Sequence, residues 1–207
     1  MMLIDWGDFD WLNSESVVVD IGANIGCFAL ALSARYGRQL RIHCLEPGAA
    51  AFDRLASNIR ENRMDGMVAH RLAIAGHQGT IRLFHGSKDI FNSVFAEVAH
   101  CPSETDVEEV RCTTFGTFRA EHELATIDLL KLDCEGGEYF ILNQLTDEAV
   151  AGIRAIVCEF HAVPGFSKRE TLDHLRSLGF TAEGSGVVLL RRRPPIAAPR
   201  PSAPARL

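Results

Sequence analysis

The stretch Val17-Val18-Val19-Asp20-Ile21-Gly22-Ala23-Asn24-Ile25-Gly26-Cys27-Phe28 constrains this chain more than any other. A β-branched run ends in an acid, a turn with two glycines follows, and an apolar, helix-like stretch runs from Ile25 to about Tyr36. Strand, glycine turn and helix in that order hold an adenosine-bearing cofactor at the top of a parallel sheet. Gly22 and Gly26 let the backbone turn sharply and approach a ligand without a Cβ in the way. Asp20, at the strand's end, can accept a hydrogen bond from a ligand amine or from loop N–H groups. The dinucleotide fingerprint G-x-G-x-x-G is not met. The turn reads D-x-G-x-N-x-G, and Asn24 puts a side chain where a diphosphate needs close backbone approach. An acid in this place suits a cofactor with a positive charge and an ammonium group, and S-adenosylmethionine (SAM) has both. On this stretch alone, a purely structural strand-to-helix turn remains the other reading.

Further strands repeat the arrangement. Residues 41–46 read as a second strand ended by Pro47-Gly48, and its last residue, Glu46, is again an acid. An acid there, about 20 residues beyond the glycine turn, lies where it can take both ribose hydroxyls of a bound adenosine. A helix is predicted over 49–62, from the period of Phe52, Leu55, Ala56 and Ile59, and a third strand over 67–72. The alternating residues 80–84 predict a strand that pairs antiparallel with a later one, with 107–113 as the partner. Between them, residues 85–106 are polar and irregular, a candidate substrate lid. A short helix over 115–124, a strand over 127–133, a helix over 139–145, a strand over 153–160 and a helix over 168–178 follow. Strands at 179–183 and 187–191 close the chain as a hairpin through Gly184-Ser185-Gly186. Alternating strands and helices predict an α/β fold: an open, mostly parallel sheet with helices on both faces and an antiparallel strand near one edge. Ligands bind such sheets at the carboxyl ends of the strands, where this chain carries Asp20, Glu46, Asp133 and Glu159 with His161.

Size and charge narrow the classes. A chain of 207 residues fits one domain over 15–193, an aromatic, acidic cap over 1–14 and a Pro/Ala-rich tail over 194–207 that cannot build a core and is expected to be disordered. The formal charge of −6 gives no general affinity for nucleic acid. No apolar run reaches membrane-spanning length, so no membrane association is expected. The acidic start is unlike a secretory signal, and the six cysteines form no C-x-x-C. Buried, reduced thiols in a cytoplasmic protein are expected, with no cysteine-based zinc site.

Three blocks carry a resemblance: Val19-Asp20-Ile21-Gly22-Ala23-Asn24-Ile25-Gly26-Cys27-Phe28, Glu46-Pro47, and Ile127-Asp128-Leu129-Leu130-Lys131-Leu132-Asp133-Cys134-Glu135-Gly136-Gly137-Glu138. Over roughly residues 17–160 the chain resembles the FkbM-type family of SAM-dependent methyltransferases. The resemblance implies a Rossmann-like class I methyltransferase domain with a seven-stranded sheet. It implies SAM as methyl donor and a hydroxyl of a small molecule or sugar-like metabolite as acceptor. Asp20, Gly22, Ala23, Asn24, Gly26, Glu46, Ala73 and Asp133 are then the expected cofactor-binding residues. Thr114-Phe115-Gly116 stands where such families often show Thr-Leu-Asp.

Methyl transfer from a sulfonium is an in-line displacement, so the protein chiefly positions the acceptor and removes its proton. The candidate catalytic residues are Asp133, Glu135, Glu159 and His161. In one mechanism His161 or Asp133 is the general base; in the other, Asp133, Glu159 and His161 hold a divalent cation that lowers the hydroxyl's pKa. Lys131 is expected to be the structural partner of a nearby acid, and Glu138 to be structural. The alternatives are N-methylation of a small amine and a non-catalytic SAM-binding module. A nicotinamide-dependent oxidoreductase is disfavoured by the missing fingerprint. Oligomeric state leaves no signal.

Overall fold

The computed structural model describes residues 9–86, 92–99 and 107–192. The expected tail over 194–207, residues 1–8 of the expected cap, and residues 87–91 and 100–106 of the expected lid lie outside the described residues. The chain runs β1 (Val17–Ile21), α1 (Cys27–Tyr36), β2 (Arg41–Leu45), α2 (Ala49–Glu61), β3 (Met67–His70), β4 (Ala73–Ile74) and β5 (Gly79–Phe84). It continues through α3 (Ala96–Ala99), β6 (Val107–Thr113), α4 (Phe115–Glu121), β7 (Leu129–Leu132), α5 (Glu138–Leu142) and α6 (Asp147–Val150). The described part closes with β8 (Ala155–Glu159), α7 (Lys168–Ser177), β9 (Phe180–Glu183) and β10 (Val187–Arg192).

Among the described residues, seven strands form one sheet in the order β3-β2-β1-β7-β8-β10-β9. Neighbours from β3 to β8 are parallel, and β10 runs antiparallel to both β8 and β9. The chain steps outward from β1 to β3 and then returns to place β7 on the other side of β1. That reversal leaves a crevice above the carboxyl ends of the β1 and β7 strands.

The sequence of β1 explains its place. All five of its residues are buried, as a strand covered on both faces requires. Successive side chains point to opposite faces. Val17, Val19 and Ile21 join the core under α4, α5, α6 and α7, with Phe118, Leu142, Val150 and Leu175. Val18 joins the core under α1 and α2, with Leu32 and Leu55. Phe9 and Leu12 are buried in that second core, and the ring of Trp11 lies under the Arg191 guanidinium, 4.2 Å from its centroid.

Two expectations change. The third strand ends at His70, and β4 turns out of the main sheet. Strand β5 does pair antiparallel with β6, from Gly79 opposite Cys112 to Phe84 opposite Val107, but in a separate three-stranded sheet ordered β4-β6-β5. The alternating exposure of β5 is the reason: one of its faces meets solvent, which a sheet buried on both faces does not allow. Cys44, Cys112 and Cys158 are buried free thiols, whereas Cys27 is exposed at the start of α1.

Candidate functional site

A cleft opens over the carboxyl ends of the β1, β2 and β7 strands. Gly22 and Asn24, Glu46 and Pro47, Leu72 to Ile74, and Asp133 to Glu135 line it, with Leu83, Asn92 and Val94 closing one side. Its floor is built where two strand-end turns touch. Gly22 has φ +77°, and a Cβ there would sit 1.8 Å from the Asp133 carbonyl oxygen, so only glycine fits. The N–H groups of Gly22 and Ala23 both donate to the Leu45 carbonyl at 3.0 Å, fixing the turn on β2. Asn24 takes a left-handed backbone, φ 50°, which asparagine tolerates better than most side chains.

Glu46 is buried at the cleft wall. Its Oε1 accepts from the Gly48 N–H and its Oε2 from the Asn24 N–H, both at 2.9 Å. Burial pushes its pKa up, against the pull of those two backbone groups. Each carboxylate oxygen keeps acceptor capacity beyond its one backbone bond. A buried acid with free lone pairs, a turn without a Cβ and the apolar wall of Leu72, Ala73, Ile74 and Leu83 fit the hydroxyls, close backbone approach and flat ring of an adenosine.

Asp20 is placed differently from the expectation. It is fully buried beneath the cleft and does not line it. It stands directly opposite Lys131 across the β1–β7 pair, on the face of Val18, and the two form an ion pair at 3.0 Å. Lys131 also donates to the Gly22 carbonyl at 2.8 Å and lies 3.6 Å from Asp133. Burial works against the Lys131 ammonium, but Asp20 and then Asp133 outweigh it and hold its pKa above the ordinary lysine value. Asp20 therefore acts through Lys131 on the glycine turn. Ala23 and Gly26 shape the same turn and also stay off the cleft wall, whereas Gly22, Asn24, Glu46, Ala73 and Asp133 line it.

The acids after β7 and β8 gather round His161. Its Nδ1 lies 3.2 Å from Glu138 Oε1, and its Nε2 lies 3.3 Å from Glu135 and 4.0 Å from Asp133. Burial alone would lower its pKa. The hydrogen bond and charge of Glu138, then Glu135 and Asp133, outweigh burial and raise it to about 9. A pKa raised that far favours the protonated ring at neutral pH. Glu135, which lines the cleft with φ 50°, is pushed up to about 7, first by burial and further by the neighbouring carboxylates, against the pull of His161. Glu159 joins the group from the end of β8: one ligand atom each from Asp133, Glu159 and His161 lie within 4.8 Å of one another. A cation there needs a neutral imidazole, since a protonated ring offers no lone pair.

Glu138 does more than start a helix. It is fully buried and accepts from the Cys134 N–H at 2.7 Å and the Gly136 N–H at 2.9 Å while it holds His161. The Tyr139 hydroxyl donates to the His161 carbonyl at 3.0 Å, so the first turn of α5 positions both the ring and its backbone. In the sequence its signal was an acid directly after Gly136-Gly137, where the chain can fold back on itself. Ser93 is the other residue that sequence reasoning missed: it is fully buried and its hydroxyl donates to the Glu135 carbonyl. The described part of the expected lid is thereby fastened to the cleft.

A sequence profile described as the methyltransferase FkbM domain matches residues 20–182. The chain is 29% identical over 183 residues to methyltransferase 1 of Beauveria bassiana, covering 80% of this chain and 72% of that protein. It is 28% identical over 196 residues to the 31-O-demethyl-FK506 methyltransferase FkbM of Streptomyces tacrolimicus, covering 82% and 74%. The solved structure of methyltransferase FkbM from Methylobacillus flagellatus KT superposes with a TM-score of 0.55 at 13% identity. That superposition covers 86% of this chain and spans 44% of the other, and at this identity it speaks to the fold alone.

Proposed function

The chain belongs to the FkbM methyltransferase family, and on that premise we propose that it transfers a methyl group from SAM to a hydroxyl of a small molecule. The observation that carries this reading is Glu135: a carboxylate on the cleft wall, 3.3 Å from His161, with a pKa that burial first and then its neighbouring carboxylates push up to about 7. A general base works best when its pKa lies near the operating pH. Glu135 takes the acceptor hydroxyl's proton, and His161 keeps its own and steadies the carboxylate. Glu46 would hold the ribose hydroxyls, Leu72, Ala73, Ile74 and Leu83 the adenine, and Gly22 and Asn24 the turn beneath. Asp133 is the acid on the cleft wall that would meet the ammonium end, with Asp20 supporting the turn from below. When bound, SAM supplies an electrophilic methyl on a sulfonium. The Streptomyces relative's name describes methylation at an oxygen, which favours oxygen over nitrogen as acceptor atom. The charge of −6 favours a small-molecule acceptor over nucleic acid, and a cytoplasmic setting is part of the same reading. Among the described residues, no helix is long and apolar enough to cross a membrane.

Calorimetry with SAM, S-adenosylhomocysteine and NAD tests the cofactor: binding of the first two and none of NAD is expected. Glu46→Ala weakens SAM binding by about tenfold or more, the loss expected for a hydrogen bond to a charged group. In a labelled-methyl assay over hydroxylated small molecules, Glu135→Gln lowers kcat by about 100-fold and leaves SAM affinity unchanged. A folded protein that binds no SAM, or a Glu135→Gln variant at full rate, overturns the reading. The spacing of Asp133, Glu159 and His161 favours a second mechanism, in which a divalent cation held there activates the hydroxyl. Full activity after exhaustive chelation removes it.

A further inference from the structure

Three histidines away from the cleft meet at the β2–β3 edge of the main sheet. His43 lies on β2 and His70 ends β3; His70 stands opposite Leu45, two residues on from His43, so both side chains leave the same face. His122 caps the carboxyl end of α4, one turn beyond Phe118, and so shares its face. Glu123, with φ 54°, ends the helical path directly after it. Each histidine offers a nitrogen within 4.8 Å of those of the other two. None of the three lines the cleft.

We propose that His43, His70 and His122 form a site for one divalent transition-metal cation of the zinc class, fastening the β2–β3 edge to α4. The His43 Nδ1 and His70 Nε2 face each other at 3.1 Å. Imidazole nitrogens bind zinc at about 2.0–2.1 Å in tetrahedral geometry, which spaces two of them by about 3.3 Å. Without a cation, one shared proton must bridge that pair; with one, both lone pairs are used. The buried ring of Phe118 stands nearly perpendicular to both, with centroids 5.9 Å from His43 and 5.2 Å from His70, and packs against the group. His122 is the most exposed of the three, so the remaining coordination position opens to water. An all-imidazole set suits zinc, nickel, copper or cobalt, and not magnesium or calcium, which take oxygen ligands.

The full chain, stripped with a chelator and exchanged into chelator-free buffer, is titrated with zinc chloride by calorimetry and with cobalt(II) by visible absorption. Saturable one-to-one uptake is expected, with tetrahedral cobalt bands and a rise in thermal midpoint on adding zinc. His122→Ala removes an exposed side chain and keeps the fold; it weakens uptake by more than about tenfold and abolishes the thermal shift. His70→Ala does the same to uptake, and Asp133→Asn leaves uptake intact. No saturable uptake by the folded chain overturns the proposal. So does uptake that survives both histidine variants, or uptake lost with Asp133→Asn, which assigns the cation to the acids after β7 and β8.

Discussion

At the scale of single residues, the site is governed by charges that hold one another in place. His161 has its pKa raised from 6.5 to about 9. A basic group with a raised pKa stabilises the folded state fully below its unfolded value, and that contribution is lost as the pH rises through the folded value. Glu135 is raised from 4.5 to about 7, so its ionisation opposes folding between those values. Both signs agree: stability measured by chemical denaturation falls as the pH climbs from about 4.5 to about 9, and His161→Gln flattens the upper part of the curve. If Glu135 is the base, activity is expected to follow a bell, rising as Glu135 loses its proton near 7 and falling as His161 loses its own near 9, which a pH–rate profile checks. The buried pair Asp20 and Lys131 makes a sharper prediction. Lys131→Met strands a buried carboxylate and costs about 3–5 kcal/mol in urea unfolding, and adding Asp20→Asn recovers much of it. From the sequence, Asp20 read as a ligand-facing acid because its partner lies on another strand, and only the register of β1 against β7 brings Lys131 opposite it.

At the scale of elements, the working unit is a pair of turns pressed together, the one after β1 and the one after β7. Gly22→Ala would drive a Cβ into the Asp133 carbonyl. The left-handed backbone adds about 1–3 kcal/mol of strain to that clash, so the variant is expected to unfold at lower denaturant and to lose SAM binding with it. These turns were legible because their chemistry is local: glycines at set spacings, an acid at a strand's end. The positions of Glu46 and Asp133 on the cleft wall were legible for the same reason. What escaped depends on contacts between elements. Glu138 acts through a carboxylate that folds back over Cys134 and Gly136 to reach His161. The histidine group depends on the register of β2 with β3 and the phase of α4, and its members share no motif. The small β4-β6-β5 sheet was half visible, as a pairing of two strands, and its separation from the main sheet was not, because a two-residue strand leaves no periodicity to read.

For the whole molecule, the order of the strands makes one crevice the natural place for a ligand, and occupancy of that crevice is felt throughout. A ligand bound only by the folded state stabilises it by about 2.7 kcal/mol at a hundred times its dissociation constant. SAM at that concentration is expected to raise the thermal midpoint, and NAD to leave it unmoved. The same strand order has a kinetic side. Strand β10 lies between β8 and β9, so β8 gains its second neighbour only from residues 187–192. As the chain leaves the ribosome, β8 therefore waits as an open edge with Ala155 to Cys158 already apolar, the kind of edge on which nascent chains pair with one another. Arrival of β10 closes that edge and brings Arg191 to Trp11, so the earliest described residues find one of their supports in the last described strand.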